Sequence, residues 1–358
     1  MKKMRVAIIG QGRSGRDIHG AYFLSEANEN VTVVAVVDAI EHRRERAKKE
    51  FNCDVYADYT ELFGRKDIDL VVNASFSQMH YPITKDLLEH NFNVLVEKPF
   101  GRTVYECMDL MKTAKEHGVI VAAFHQSLYT PIFRKVKEVV ASGVLGEIEQ
   151  INLRYSGFAR RWDWQTLQRN CAGGVYNSAP HPIGQGLDLI GWRKDAKVVF
   201  ADFHKNMTSG DANDFAKILV KAPDAPTLDI EVISSDAYPD PYTFKVLGSK
   251  GAMIANNAGE YHVKYIIPEE LPPRPVQYAS LEREGDGYPM YCHENLQSHV
   301  DEGKVTGDAF TSAVKTFYDM IYNSVMLGKP LEITPEMATE VISIIETAHA
   351  LNPMPLLY

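Results

Sequence analysis

A glycine-rich turn near the start of the chain limits the folds that this sequence can adopt. Residues 10–15, GQGRSG, have the spacing G-x-G-x-x-G and stand between an apolar run at 4–9 and a helical pattern that starts at residue 14. In a strand–turn–helix unit the first glycine permits the tight turn, the second lets the backbone approach a pyrophosphate, and the third lets helix and strand pack closely. Free N–H groups at the start of the helix attract phosphate oxygens. The pattern predicts a dinucleotide site, the alternative being a glycine turn without a ligand. The predicted contacts are Gly10, Gln11, Gly12, Arg13, Ser14 and Gly15.

The first 125 residues alternate short β-rich runs with longer helical patterns. Apolar runs such as VTVVAVV at 31–37 are typical of parallel strands that are covered on both faces. The predicted strands are 4–9, 31–37, 55–56, 70–74, 93–96 and 119–123, and the predicted helices are 14–26, 42–51, 60–63, 81–90 and 104–117. This alternation predicts βαβ units, so residues 1–125 are expected to form an N-terminal Rossmann domain with a doubly wound parallel sheet.

The pattern changes after a helix that is predicted from Pro131 to Gly143. Residues Ile151, Leu153 and Tyr155 alternate with polar neighbours, which is typical of a strand with one wet face. Similar strand patterns follow at 197–203, 215–221, 228–234, 242–247 and 262–267, and amphipathic helices near 309–327 and 335–351 close the chain. Residues 126–358 are therefore predicted to form a C-terminal α/β domain with a large, mostly antiparallel open sheet that binds substrate and supports oligomerisation.

Composition excludes several classes of protein. The chain has 358 residues with 38 Lys and Arg against 47 Asp and Glu, a net charge of −9, and it lacks a basic patch that would indicate nucleic acid as a partner. No run of 18 apolar residues indicates a membrane span. The four cysteines, at 53, 107, 171 and 292, are too far apart to form a metal-binding pair, and no H-E-x-x-H motif occurs, so we expect free thiols and no catalytic metal. We expect a cytoplasmic protein that acts on small molecules.

Asp38 bears on the choice of dinucleotide. It follows the second predicted strand, 23 residues after Gly15. A carboxylate in this position accepts hydrogen bonds from the ribose hydroxyls of NAD and repels the 2′-phosphate of NADP. Arg43 and Arg44 follow closely and are suited to bind such a phosphate, and Asp38 also fits a simple turn before a helix. The sequence predicts NAD as the cofactor, with NADP as the alternative.

Lys98 is the candidate catalytic residue of the first domain. It follows the predicted strand 93–96 and is flanked by Glu97 and Pro99. Open α/β sheets bind ligands at the carboxyl ends of their strands, where an ammonium group stabilises negative charge on a reacting oxygen. The alternative is a surface lysine paired with Glu97.

His181 is the candidate proton-transfer residue of the second domain. It stands in a Pro-His-Pro sequence after a Gly-Gly turn, and its imidazole suits proton exchange with an alcohol, although a core histidine is the alternative. Asn177, four residues earlier, offers an amide that hydrogen-bonds a substrate hydroxyl but carries no charge.

Three further residues are predicted near the substrate. His125 and Gln126 follow the sixth predicted strand, where they approach the nicotinamide or the substrate. Trp162 belongs to the cluster RRWDW at 160–164, which is suited to stack on a sugar ring. A surface loop or a protein interface fits the same cluster.

Taken together, these motifs resemble the Gfo/Idh/MocA family, the relatives of glucose–fructose oxidoreductase and inositol dehydrogenase. The shared motifs are the turn at 10–15, Glu97-Lys98-Pro99, the stretch AGGVYNSAPH at 172–181 and FKVLGSKG at 244–251. The resemblance extends from residue 5 to about 255. At the family's Asp position this chain has Asn177, so Lys98 and His181 must share the proton chemistry.

The resemblance implies an NAD(P)-dependent oxidoreductase that transfers hydride between the nicotinamide and a sugar, cyclic polyol or sugar derivative. In this scheme His181 removes the hydroxyl proton, Lys98 steadies the oxygen and Glu97 orients Lys98. The resemblance also implies a cis Lys98–Pro99 peptide and a homodimer or homotetramer that is built on the open sheet. A loop at 75–80 resembles the family's Thr-Pro-Asn-x-x-His loop, which implies that Ser75, Phe76 and His80, together with Glu97 and Lys98, line the cofactor site. Two alternatives stay open: an enzyme that retains NAD and cleaves glycosides, and a non-catalytic sensor of dinucleotide or sugar.

Overall fold

Two β-sheets dominate the structure, a computed structural model that describes residues 2–274, 276, 278, 293–307 and 309–358. The first sheet consists of β1 (Met4–Ile9), β2 (Val31–Val37), β3 (Asp54–Tyr56), β4 (Leu70–Asn73), β5 (Val94–Val96) and β6 (Val121–Ala123). All neighbouring pairs of these described strands are parallel, in the order β3-β2-β1-β4-β5-β6. This order defines a Rossmann domain, in which ligands bind where the strand order reverses, between β1 and β4.

Helices cover the faces of the first sheet, as its continuous apolar strands require. They are α1 (Ala21–Leu24), α2 (Glu41–Phe51), α3 (His80–Glu89) and α4 (Val104–His117). The central strands β1, β4 and β5 are buried along nearly their whole length. The predicted doubly wound sheet is confirmed.

The helix after the glycine turn differs from the prediction. Instead of one α-helix over 14–26, a π-helix runs from Arg13 to Gly20 and α1 follows it. The wider π turn brings residues five apart into contact, and a Cβ on Gly20 would lie 3.0 Å from the carbonyl oxygen of Gly15. The glycines at 15 and 20 therefore permit a turn that helical periodicity alone does not predict.

The second sheet is mostly antiparallel, as predicted. Its described strands are β7 (Ile148–Ser156), β8 (Lys197–His204), β9 (Phe215–Lys221), β10 (Thr227–Ile233), β11 (Phe244–Gly248), β12 (Gly251–Ala255), β13 (Glu260–Tyr265) and β14 (His299–Lys304). They lie in the order β14-β13-β12-β11-β7-β10-β9-β8, and the pair β7 and β10 is parallel. The sequence did not predict β12 and β14. The first is a short return strand after a tight turn, and the second is charged and exposed, without apolar alternation.

Five helices complete the described chain, and the last two connect the domains. They are α5 (Pro131–Ser142), α6 (Gly174–Asn177), α7 (Pro180–Leu189), α8 (Ala309–Leu327) and α9 (Pro335–Leu351). Helix α8 contacts α1, and α9 contacts α4 and β6, so the C-terminal segment packs against the first domain as well as the second. One contiguous core joins the two sheets.

Two simple expectations concern the cysteines and the membrane. Cys53, Cys107 and Cys171 are free and buried, whereas Cys292 lies outside the described residues. Within the described chain, no helix has the length and apolar character needed to cross a bilayer.

Gly15 and Gly64 provide a matched test of the close packing at the first turn. A Cβ on Gly15 would overlap the carbonyl oxygen of Gly10, whereas a Cβ on Gly64 would meet nothing within 4 Å among the described residues. We expect Gly15→Ala to lower the free energy of unfolding by about 1–3 kcal/mol, because the backbone must move. Gly64→Ala should change it by less than about 0.5 kcal/mol. Chemical denaturation measures both, and equal effects would contradict the packing role of Gly15.

Candidate active site

A cleft of about 840 Å³ lies at the carboxyl ends of β1 and β4 and is lined by residues of both domains. From the first domain it takes the glycine turn, Asp38, the loop at 74–80, Glu97 and Lys98. From the second it takes Tyr155, the loop at 161–165, and residues of α6 and α7. This is the size and position expected for a dinucleotide and a small substrate.

The glycine turn has the form that a pyrophosphate site requires. Gly10 has φ +90°, and a Cβ there would collide with the backbone of Ala74. A Cβ on Gly12 would meet, among the described residues, only the tip of the Arg43 side chain at 4.0 Å, so the backbone is open to a ligand. Gly12, Arg13 and Ser14 line the cleft with Gly10. The sequence motif predicted six contacts and gave no means of telling these four from the other two.

Those two predicted contacts, Gln11 and Gly15, are not part of the cleft wall. Gly15 lies against Gly10 beneath the turn, where it serves the packing of helix on strand. The Gln11 side chain is buried, and its backbone N–H donates to Oδ2 of Asp38 at 2.8 Å. Their contribution to the site is to fix the turn and the Asp38 carboxylate.

Asp38 presents a buried carboxylate to the cleft at the end of β2. Its Oδ2 accepts from the backbone of Gln11, and its Oδ1 accepts from the backbone N–H of Ile40 at 2.8 Å. The Nη1 atom of Arg43, which also lines the cleft, lies 3.5 Å from Oδ2. Arg44 instead donates to the carbonyl oxygens of Asp38 and Ala39, at 2.8 and 2.9 Å. Arg43 is therefore better placed than Arg44 to meet a 2′-phosphate.

The loop after β4 forms another wall of the cleft. The Ser75 hydroxyl donates to Oδ1 of Asn73 at 2.7 Å. His80 is buried, with Nδ1 2.8 Å from the carbonyl oxygen of Pro99 and Nε2 3.2 Å from that of Ser75, and burial lowers its pKa. The ring of Phe76 meets Trp164 of the second domain edge-on, 4.9 Å between centroids. The loop thus connects the two sides of the cleft.

Glu97 is held by a buried chain of hydrogen bonds. Its Oε1 lies 3.1 Å from Nε2 of His19, whose Nδ1 lies 2.6 Å from the Tyr318 hydroxyl on α8. The other oxygen, Oε2, accepts from the backbone N–H of Lys98 at 3.1 Å. Burial alone would raise the pKa of Glu97, but the hydrogen bond from His19, its electrostatic interaction with that ring, and the charge on Lys98 bring it to about 2. Glu97 is therefore hydrogen-bonded to the main chain of Lys98, and not to its ammonium group. No local pattern in the sequence pointed to His19 or Tyr318.

The Lys98 side chain crosses the cleft to the second domain. Its Nζ donates to the backbone oxygen of Asn177 at 2.6 Å and to Oδ1 of the same residue at 3.3 Å. The Lys98–Pro99 peptide is cis, as the family resemblance implied. Burial lowers the pKa of Lys98, the Glu97 charge opposes this shift, and Arg13 and Arg161 add to it. Two residues 79 positions apart, predicted separately, thus meet directly.

A Gly-Gly turn and two short helices position Asn177 and His181. Gly173 has φ +93°, and a Cβ there would lie 3.0 Å from the side chain of Asn213. That side chain accepts from the backbone N–H of Val175 at 3.0 Å and holds the start of α6. Pro180 then starts α7, with His181 in its first turn, because proline is tolerated where no N–H donor is needed.

His181 lines the cleft as a neutral imidazole. Its Nδ1 lies 3.1 Å from the hydroxyl of Ser127, and its ring stacks on Tyr155 at 6.4 Å. Burial, and then the charges of Lys98 and His125, lower the pKa of His181 to about 3. A neutral ring has a nitrogen lone pair that can accept a proton.

Of the three residues predicted to contact substrate from the loops at 125–126 and 160–164, one lines the cleft and two do not. Gln126 lines the cleft, but His125 lies behind the wall, 2% exposed, where burial lowers its pKa to about 4. Trp162 is 86% exposed and outside the cleft, so its placement does not support stacking on a bound sugar. The ring that lines the cleft is Trp164, and Gln165 beside it donates to Oδ1 of Asn177 at 3.2 Å. Within this loop Trp162 faces solvent while Arg161 and Asp163 on either side of it line the cleft, which composition does not reveal.

The donor set fits a dinucleotide rather than a metal ion. The glycine backbone fits phosphates and the Asp38 carboxylate fits a ribose diol. Across the described residues, no group of three or more His, Cys, Asp or Glu side chains is arranged to hold a metal.

The amino-acid sequence is similar to those of named proteins over both domains. The chain is 25% identical over 258 residues to 2,7-anhydro-N-acetylneuraminate hydratase of Mediterraneibacter gnavus, covering 71% of this chain and 67% of that protein. It is 23% identical over 361 residues to scyllo-inositol 2-dehydrogenase (NADP(+)) of Bacillus subtilis, and the match covers 96% of this chain and 92% of that protein.

Solved structures and family models agree on the fold. The structure of a putative oxidoreductase, yvaA, from Bacillus subtilis matches with a TM-score of 0.79 at 19% identity, covering 100% of this chain and 99% of that one. Residues 4–125 match the model of an oxidoreductase family with an NAD-binding Rossmann fold, and residues 133–254 match the GFO/IDH/MocA C-terminal domain. The chain belongs to the GFO/IDH/MocA family of oxidoreductases.

Proposed function

We propose that this protein is a dehydrogenase that prefers NAD and oxidises a secondary hydroxyl of a sugar, cyclic polyol or sugar derivative. The observation that carries the proposal is the meeting of Lys98 and His181 in one cleft with a dinucleotide turn. Named relatives include a dehydrogenase for scyllo-inositol, which is consistent with a polyol substrate. Sugars and polyols present the hydroxyl that such a pair of residues can activate.

The first domain supplies the groups that would hold the cofactor. Gly10, Gly12 and Ser14 would bind the pyrophosphate and Asp38 the ribose diol. A nicotinamide held there would supply a hydride acceptor for the carbinol carbon, which is redox chemistry that no side chain provides.

The chain's own residues handle the substrate oxygen and its proton. His181 is neutral because its pKa is lowered to about 3, so the ring has a free nitrogen lone pair, and we assign it as the acceptor of the hydroxyl proton. Lys98 donates a hydrogen bond to the same oxygen and stabilises its developing charge, in place of the contact it makes with the Asn177 carbonyl. The Asn177 amide then binds a neighbouring hydroxyl without taking part in proton transfer.

The decisive experiment combines a substrate screen with two substitutions. Sugars and polyols are offered with NAD, and NADH formation is followed. Lys98→Ala should leave NAD affinity nearly unchanged and lower kcat about a hundred-fold or more, because a donor to the developing oxyanion is lost. Lys112→Ala, which removes an exposed lysine of α4, is the control and should retain full activity. Unchanged turnover of the Lys98 variant would refute its assignment.

His181 gives the same experiment a pH readout. Because the pKa of His181 is lowered, the wild-type rate should stay on its plateau at pH values where ordinary imidazole is already protonated. His181→Ala should lower kcat and remove the acidic ionisation from the profile. A variant profile that keeps this ionisation would identify a different base. A protein that binds NAD and a sugar without net NADH formation would instead support the NAD-retaining or sensing alternatives.

Substitutions at Asp38 and Arg43 test the preference for NAD over NADP. NAD should bind at least several-fold more tightly than NADP, because the Asp38 carboxylate repels a 2′-phosphate. Asp38→Ser should narrow the difference, since it removes that charge and releases Arg43, now 3.5 Å from it. Adding Arg43→Ala should cancel the gain in NADP affinity. Titration calorimetry measures each constant, and tighter NADP binding by the wild type would reverse the assignment.

Asn177 separates hydrogen bonding from proton transfer. Asn177→Ala should cost one hydrogen bond, roughly 0.5–1.5 kcal/mol or about a two- to twelve-fold loss in kcat/KM, without moving the pH profile. Asn177→Asp places a carboxylate beside Lys98, which should raise the pKa values of Lys98 and His181. The acidic limb of kcat/KM should then move to higher pH, since His181 must be neutral. A shifted profile in the alanine variant would show that the amide itself takes part in the ionisation.

A further inference from the structure

One ring nitrogen of His181, Nδ1, is hydrogen-bonded to a serine hydroxyl. Oγ of Ser127 lies 3.1 Å from Nδ1 of the imidazole, and within the described chain this is the one hydrogen bond the hydroxyl makes. Ser127 is 7% exposed, belongs to a short helical turn after β6, and is not part of the cleft wall that His181 lines. The contact therefore reaches the ring from a residue outside the cleft lining.

A network of hydrogen bonds fixes the position of Ser127. Its carbonyl oxygen accepts from Nε2 of Gln185 at 3.1 Å and from the Thr130 hydroxyl at 3.1 Å. Oε1 of Gln185 accepts from the hydroxyl of Tyr155 at 3.0 Å, and the Tyr155 ring stacks on His181. The imidazole thus contacts Ser127 through Nδ1 and lies nearly parallel to the Tyr155 ring, and all of these groups belong to one hydrogen-bonded unit.

The groups around His181 leave Ser127 as its hydrogen-bond partner. The charged or titratable neighbours are Lys98 and Glu97 after β5, His125 after β6 and Tyr155 on β7. Glu97 is occupied by His19 and by the Lys98 main chain. None of these groups bonds a ring nitrogen of His181 in the described chain.

A serine hydroxyl can accept from Nδ1–H or donate to a bare Nδ1, and a base that acts through the other nitrogen, Nε2, requires the first arrangement. When Nδ1–H donates to Oγ of Ser127, Nε2 keeps its lone pair on the side of the ring that faces away from Ser127. The same bond persists after Nε2 gains a proton, because the hydroxyl oxygen still accepts from Nδ1–H. Fixing a histidine tautomer through its second nitrogen is how such partners tune the ring.

We propose that Ser127 is a positioning residue that holds His181 in the Nδ1-protonated tautomer, so that Nε2 takes the proton of the substrate hydroxyl. The inference rests on the proposed dehydrogenase function. In the step, the O–H bond breaks and its proton goes to Nε2, while the carbinol C–H electron pair leaves as hydride to the nicotinamide and the carbonyl double bond forms. Ser127 exchanges no proton with the substrate and acts through His181.

Nitrogen NMR of the NAD-bound protein tests the tautomer without a substrate. The ring nitrogens of His181, assigned by comparison with His181→Gln, should show Nδ1 protonated and Nε2 bare in the wild type. Ser127→Ala should mix the two tautomers and lower the pKa of His181, because the imidazolium loses an acceptor. A wild-type ring protonated on Nε2, or an alanine variant with the wild-type tautomer, would overturn the proposal.

Kinetics on the substrate from the screen supply the second readout. Ser127→Ala should lower kcat by about ten-fold or more with KM changed less than about two-fold, and should move the acidic limb to lower pH. Ser127→Thr keeps the hydroxyl and should restore most of the rate, whereas Ser127→Cys keeps the size without the oxygen and should not. A threonine variant as impaired as the alanine variant would show that packing, not the hydroxyl, matters.

Thr130→Val is the matched control for the loop. Its hydroxyl holds the Ser127 carbonyl but does not touch His181, so its loss should leave tautomer and pH profile unchanged. A Thr130→Val profile like that of Ser127→Ala would attribute the effect to loop position and overturn the proposal. If no sugar or polyol yields NADH, the proposed function fails while the NMR result still decides the tautomer. If the wild type is active and Ser127→Ala matches it, the Ser127 inference fails alone.

Discussion

A single buried carboxylate organises the reacting end of this molecule. Glu97 is 3% exposed, and an ionised carboxylate in such surroundings is costly unless hydrogen bonds replace its water. His19 and the Lys98 main chain supply those bonds, and the Tyr318 hydroxyl supports His19 from behind. An ionised carboxylate only accepts hydrogen bonds, so Nε2 of His19 is the donor to Glu97, and the Tyr318 hydroxyl lies 2.6 Å from the other ring nitrogen. The end of β5, and with it the base of Lys98, is fixed by this arrangement.

The cleft depends on contacts that cross from one domain to the other. Lys98 reaches the Asn177 carbonyl, and Phe76 meets Trp164 at the opposite wall. The shorter contact of the Lys98 ammonium is to the backbone oxygen of residue 177, and the longer one is to the side-chain oxygen, which is neutral because the side chain is an amide. The negative charge that acts on Lys98 comes from Glu97 of its own domain, not from residue 177.

The sequence predicts those features of the structure that are determined by residues close together in the chain. The glycine turn and Lys98 were predicted because φ angles, strand ends and short motifs act over a few residues. His19 and Tyr318 are 299 residues apart, and Ser127 and His181 are 54 residues apart, so no local sequence pattern predicts either contact. A different reason applies to Trp162, since which ring of a loop faces the cleft depends on how the loop folds back over it.

The Tyr318–His19–Glu97 chain also bears on what counts as a domain here. The boundary near residue 125 marks where the parallel sheet ends, but the hydroxyl that completes the Glu97 hydrogen bonds comes from α8, near the other end of the chain. A fragment cut at that boundary would retain every glycine of the nucleotide turn and yet lack the hydroxyl that contacts His19. The end of the parallel sheet is therefore not the end of the contacts that complete the first domain, because part of its buried polar network is supplied by helix α8 of the C-terminal segment.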